Sequence, residues 1–145
     1  MNESIDRVPP HNQEAEQSVI GAIFLEPQAL VSVAEIVMPE DFYRVAHQRI
    51  FQTMIDLTDR GKAVDLVTVT EELSVKKELE DVGGLSYLTE VANAVPTAAN
   101  VGHYAHIVEE KALLRRLIRV ATTIVEDGFT REDEVEALLA EAEKK

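Results

Sequence analysis

Residues 101–127 read as one long helix whose apolar face changes sides halfway along. Taking Leu113 as zero and about 100° per residue, Leu113, Leu114, Leu117, Ile118, Val120, Ala121, Ile124 and Val125 fall in one arc of roughly 160°. Arg115, Arg116 and Arg119 lie on the other side with Thr122 and Thr123. In the first half the pattern is rotated. Val101, Ala105, Val108 and Ala112 cluster near the arc that Arg119 and Thr123 occupy later, with Tyr104 at its margin. A helix that buries one side at its start and the other at its end touches two different bodies. It reads as an element leaving a globular core to join a second structure, another subunit included. The plainer alternative is a long helix wrapped by one irregular core.

The upstream pattern predicts further helices. Met1 to His11 is polar and ends in Pro9-Pro10, an extended arm. Asn12 caps a helix over residues 13–25, with Ala15, Val19, Ala22 and Ile23 on one side. Pro27 suits the first turn of a second helix running to about Val37. Pro39 breaks the pattern, and Phe42 and Tyr43 follow in a turn that buries one ring. Ile50, Met54 and Leu57 mark a third amphipathic helix, and Gly61 is its natural stop. The β-branched stretch at residues 64–70 favours a strand. Yet Thr68-Val69-Thr70-Glu71 matches a capping box, and no second strand exists to pair with a lone one, so a helix over about residues 69–80 is expected. Gly83-Gly84 turns the chain into a short helix over residues 85–95. Gly128 is expected to end the long helix. Thr130-Arg131-Glu132-Asp133 opens the last one, whose Val135, Leu138, Leu139 and Ala142 face back towards it as an antiparallel hairpin.

The expected fold class is therefore all-α. A compact helical head with its arm spans residues 1–100, and a helical hairpin for subunit association spans 101–145. Leu113, Leu114, Leu117, Ala121, Val125, Val135, Leu138 and Leu139 are the residues of subunit association or hairpin packing. The arc of Leu113 is wide for one short partner helix, and its excess wants another surface.

Composition narrows the picture. The chain has 145 residues, 46% of them apolar, which suffices for one domain with a real core. It has no Cys, which excludes a disulfide framework and thiolate metal sites and fits the cytoplasm. Fourteen basic against 27 acidic residues give a net charge of −13. Such a surface repels phosphate backbones, so direct nucleic-acid binding is not expected. The longest apolar run, residues 19–25, has seven residues, far short of a membrane span. There is no apolar signal segment near Met1. The sequence stops at Glu143-Lys144-Lys145 without a helix stop signal, as either a piece of a longer chain or a frayed natural terminus would.

No catalytic constellation emerges. Gly83-Gly84 lacks the Lys-Ser or Lys-Thr of a phosphate loop. His103, His106 and Glu110 share one helical face and are the candidates for a metal, the basis of an alternative reading as a small helical metal protein or enzyme. Their bland reading is a solvated polar face. His11 and His47 have no partner visible in sequence. Ser18, Ser32, Ser74 and Ser86 lack a nucleophile elbow. Arg115, Arg116 and Arg119 form a basic stripe in an acidic chain. They either pair with acids of the last helix or offer a docking edge to an acidic or polar partner. A third reading, an acidic mimic of DNA, sits poorly with so well-patterned a core.

Several strings, in order, resemble one family. Pro9-Pro10 followed by Glu14-Ala15-Glu16-Gln17-Ser18-Val19-Ile20-Gly21 is similar to the opening of bacterial replicative DNA helicases of the DnaB family. Pro39-Glu40-Asp41-Phe42-Tyr43 with Ala46-His47 and Ile50-Phe51 resembles the next block. Val64-Asp65-Leu66-Val67-Thr68, Gly83-Gly84 with Tyr87-Leu88, and Val95-Pro96-Thr97-Ala98-Ala99-Asn100 continue it. Tyr104, Ile107-Val108, Arg115-Arg116-Leu117-Ile118 and Asp127-Gly128 complete it. The match covers the family's N-terminal domain.

The resemblance implies a helical head and hairpin that pair as dimers and assemble as a trimer of dimers, a hexameric collar. It implies that the collar docks the C-terminal helicase-interacting domain of primase, with a helicase loader as a further partner. ATP and magnesium belong to a motor domain beyond this chain, so no enzyme activity and no cofactor are expected here. Within that role Tyr87, Arg115, Ile118 and Ile124 are the candidate primase-docking residues. Tyr87 follows a glycine turn, and aromatics and Arg are favoured anchors. Ile118 and Ile124 lie on different edges of the apolar arc.

Overall fold

The computed structural model describes residues 7–130 and 135–144, the side chain of Leu138 excepted. The described residues are all-helical, with no strand. They form α1 (Gln13–Leu25), α2 (Ala29–Ala34), a 3-10 turn (Pro39–Asp41), α3 (Val45–Asp59), α4 (Leu66–Val75), α5 (Gly84–Ala92), α6 (Val101–Thr130) and α7 (Val135–Lys144). Two compact units result. One is His11–Ala112; the other comprises the described residues of 1–10 and 113–145.

The first unit is built around α1. Asn12 caps it as expected, its side chain accepting from Ala15 N–H at 2.9 Å. The helix is buried nearly all round, as a central element must be: Val19, Ile20 and Ile23 on one side, Ser18, Gly21 and Ala22 on others. Gly21 is where α5 comes closest. A Cβ there would lie 2.6 Å from the Val91 carbonyl oxygen, so only glycine permits this approach. Phe42 leaves the 3-10 turn fully buried and meets Phe51 of α3 at 5.1 Å between ring centres. Ile50, Phe51, Met54 and Leu57 of α3, Val69 and Leu73 of α4, and Leu88 and Val91 of α5 complete the core. Gly61 ends the α3 turn with φ +71°, the conformation expected of it.

Five local expectations are corrected. The capping box of α4 sits three residues earlier than Thr68. Asp65 is the cap, accepting from Thr68 N–H at 2.8 Å, while Thr68 Oγ1 accepts from Asp65 N–H at 2.9 Å. The helix then ends at Val75, because Lys77 turns left-handed at φ +64° and Glu78 N–H closes back on the Leu73 carbonyl. Proline 27 does not open α2: it stands in a turn, and α2 is only six residues long. The helix over 85–95 is shorter too, Gly84–Ala92. Nor does Gly128 stop α6, which continues to Thr130; one glycine costs a helix only about 1 kcal/mol. Thr130, expected to open the last helix, is instead the final residue of α6, its hydroxyl donating to the Glu126 carbonyl at 3.0 Å; residues 131–133, and with them the hairpin turn, lie outside the described residues.

In α6 the face switch is plain. Ala105, Val108 and Ala112 are buried, and Val101, Tyr104 and Ile107 pack on the same core. From Leu113 onward the apolar positions are exposed, with Val120 partly covered: Leu113 50%, Leu117 63%, Ile118 50% and Val125 56%.

Candidate functional site

Two arrangements of side chains stand out, one in each unit. The first begins with Glu16. It lies on α1 and is only 2% exposed, an unusual place for a carboxylate. The chain at residues 43–44 enters α3 without a side-chain cap of its own. Glu16 supplies the missing acceptor from another helix. It takes Tyr43 N–H at 2.6 Å and, more weakly, Arg44 N–H at 3.4 Å. A negative charge at a helix N-terminus also opposes the positive end of its dipole.

His47, wholly buried one turn into α3, lies 2.6 Å from Glu16 through Nδ1. Glu16 accepts from its other neighbours, so Nδ1–H is the donor here. In a neutral ring, Nε2 then accepts from the Tyr87 hydroxyl at 2.7 Å. The Tyr87 oxygen in turn accepts from Gln17 Nε2–H at 3.0 Å. Every member of this chain, Gln17 to Tyr87 to His47 to Glu16, is satisfied in one direction. It ties α1, α3 and α5 together. The Tyr87 ring stacks on His47, and the Arg44 guanidinium lies 5.6 Å from its centre. Tyr87 is therefore half-buried and held from behind rather than fully projecting. Glu16 and His47 were not legible as a pair, being 31 residues apart. The available signal was helical spacing: Glu16 stands three, four and seven residues before Val19, Ile20 and Ile23, on the face they bury.

The second arrangement is the exposed strip of α6. Leu113, Leu114, Leu117, Ile118, Ala121, Ile124 and Val125 all lie on the surface of the single chain. Arg115 donates from Nη1 to the Pro10 carbonyl at 2.7 Å, clipping the arm to α6. Arg7, Val8, Pro9, Pro10 and Ile118 line a cavity of about 540 Å³. Arg116 and Arg119 are exposed. On α7, Val135 and Leu139 are 62% and 59% exposed, and Leu138 lies outside the described side chains.

The candidate metal ligands do not converge. His106 Nδ1 faces Glu109 at 3.2 Å instead, and among the described residues no three His, Cys, Asp or Glu side chains are placed to hold an ion. His11, without a visible partner in sequence, stacks on Tyr43 at 4.2 Å. No helix among the described residues is long and apolar enough to cross a membrane.

A tightly packed helical core with a long helix left apolar on its surface makes this an all-α domain. Residues 8–110 match the family described as DnaB-like helicase N terminal domain, and the chain belongs to that family. It is 65% identical over 139 residues to the replicative DNA helicase DnaC of Bacillus subtilis, covering 96% of this chain and 31% of that protein. The chain thus spans about a third of the length of this curated relative. The crystal structure of the N-terminal domain of DnaB helicase from Mycobacterium tuberculosis superimposes with a TM-score of 0.89 at 42% identity, covering 94% of this chain and 96% of that one. A DnaB-like replicative helicase, whose solved structure is described with its interactions with primase, matches with a TM-score of 0.71 at 32% identity, covering 90% of this chain and 31% of that one.

Proposed function

We propose that this chain is a non-catalytic assembly and docking domain of a bacterial replicative DNA helicase. The observation that carries the proposal is the exposed apolar strip of α6, from Leu113 to Val125. A monomeric domain rarely leaves so long an apolar stripe to water, and exposed patches of this kind mark association surfaces. The strip serves self-association, as dimers and then a hexameric collar, with Val135, Leu138 and Leu139 of α7 contributing cover. The head, residues 1–100, is joined to this association element at 101–145.

The collar docks the C-terminal helicase-interacting region of primase. Support comes from the relative whose structure is described with primase. Tyr87 contributes from the head; Arg115, Ile118 and Ile124 contribute from α6. Arg115 acts partly by holding the arm at Pro10, which shapes the surface around Ile118. ATP and magnesium serve the motor domain of the full-length helicase, which works in the cytoplasm at the replication fork. The docking mechanism is geometric: holding primase on the collar raises its effective concentration there.

Light scattering across concentration, beside titration calorimetry with the primase C-terminal region, tests both parts. Self-association that weakens on Leu117→Asp, and primase affinity that falls on Tyr87→Ala at unchanged assembly mass, are the expected results. A strictly monomeric mass at high concentration overturns the association role. Unchanged primase affinity in Tyr87→Ala, Arg115→Glu and Ile118→Asn overturns the docking surface.

A further inference from the structure

We propose that the groove between α4 and α5 is a separate docking surface, which takes a short amphipathic helix carrying Lys or Arg beside its apolar residues. It lies wholly within the His11–Ala112 unit, on neither of the surfaces assigned above. Val67, Glu71, Val75, Leu79 and Leu85 are among its lining residues, and its volume is about 610 Å³. That is within the range of roughly 300–1,000 Å³ common for ligand sites.

Helix α4 is apolar on two faces. Val69 and Leu73 point inward and are fully buried. Val67 and Val75 point outward at 75% and 71% exposure, and Leu85 on the opposite wall is 54% exposed. Valine is a poor helix former, because its branched Cβ is restricted against the preceding turn. Two outward valines on a ten-residue helix are therefore not there to make the helix. They lie eight residues apart, about 12 Å along the axis, or roughly two turns of a partner helix. A groove between two helices accepts a third by its i, i+4 and i+7 side chains.

Charge selects the occupant. Glu71 sits one turn from both valines on the same face. It is exposed, and among the described residues nothing pairs with it. In a chain of net charge −13, an apolar segment flanked by acids would be repelled here, whereas a Lys or Arg gains a partner. The α6 strip of a second copy fits less well. That strip is already committed to self-association in the function proposed above, and its Arg115 is engaged on the Pro10 carbonyl.

The test uses the full chain and two synthetic helical peptides of about 14 residues. Both carry Leu at i, i+4, i+7 and i+11; one bears Lys at the flanking positions and the other Glu. Fluorescence anisotropy at about 0.15 M salt reads binding. The basic peptide is expected to saturate one site. Val67→Asp, Val75→Asp and Leu85→Asp should each weaken it about tenfold. These positions are exposed, so circular dichroism should be unchanged. Glu71→Lys should weaken the basic peptide and strengthen the acidic one. Glu35→Lys makes the same charge change on exposed α2 surface and should have little effect. Absence of saturable binding overturns the proposal, as does an equal loss in Glu35→Lys and Glu71→Lys, or no loss in the Asp variants. A Val67→Asp chain whose mass falls in light scattering would assign the groove to self-association instead.

Discussion

Removing the Glu16 carboxylate should destabilise the head more than any surface change, and the size of the effect follows from its partners. Glu16→Ala leaves two strongly engaged donors without an acceptor, Tyr43 N–H and His47 Nδ1–H, both now at 2.6 Å. The Arg44 contact, at 3.4 Å, adds little. A buried donor left unsatisfied costs about 1–3 kcal/mol, and more when its lost partner was charged. Offsetting this, the variant no longer has to bury a carboxylate. The expected loss is about 3 kcal/mol, from a total stability on the order of 5–15. Glu16→Gln keeps the volume but turns an NH₂ group towards a donor, and should cost about 2 kcal/mol. Tyr87→Phe deletes only the half-buried end of the chain and should cost about 1 kcal/mol. Urea unfolding followed by circular dichroism gives these differences as midpoint shifts at constant slope. A double variant of Glu16→Gln with His47→Gln should show coupling between the two sites. If Glu16→Gln unfolds within about 0.5 kcal/mol of the parent, water satisfies these donors and the tertiary-cap argument is wrong.

Three further outcomes are expected. Gly21→Ala puts a methyl against the Val91 carbonyl, so α5 must move; overpacking should outweigh the gain in helix propensity and cost about 1–2 kcal/mol in the same urea assay. Lys77→Gly relieves a left-handed non-glycine residue at the end of α4, and thermal unfolding should show a net gain of about 0.5–1 kcal/mol after the added unfolded-chain entropy is subtracted. For Asp56, burial pushes the carboxyl up, but hydrogen bonds from Lys76 and Gln52 and the charges of Lys76 and Arg60 outweigh it and hold it below the ordinary 3.8. A depressed carboxyl stabilises the fold above that value and loses its contribution as pH falls through the lower folded one. Lys76→Met should therefore flatten the acid limb of a stability–pH curve below about pH 4 while changing its slope little near neutrality.

What could be read from the chain by itself was whatever depends on near neighbours. The face switch of α6 is a property of residues three and four apart, and it sets Ala105 and Val108 on one side and Leu117 and Val125 on another; that the second set lies exposed in the single chain is not in the pattern. The Asn12 cap and the Gly61 stop are equally local. That one ring beside the proline break is buried was legible; that it is Phe42 rather than Tyr43 was decided by its packing on Phe51. The resemblance in ordered short strings identified the family for the same reason, since it is carried by the sequence itself. Where two local solutions compete, the pattern is ambiguous. Asp65 and Thr68 both have the spacing of a cap, and the earlier one gains an extra turn of backbone hydrogen bonds for α4. Gly128 marks a stop only if nothing favours continuing, and α6 continues. The Glu16–His47–Tyr87 chain was beyond reach altogether. Its members are 31 and 40 residues apart, and hydrogen bonds between them depend on how α1, α3 and α5 pack. That packing rests on the close approach at Gly21, a distance no one-dimensional pattern contains. Helix identity is set within a few residues; which side chains meet across helices is set only when the core closes.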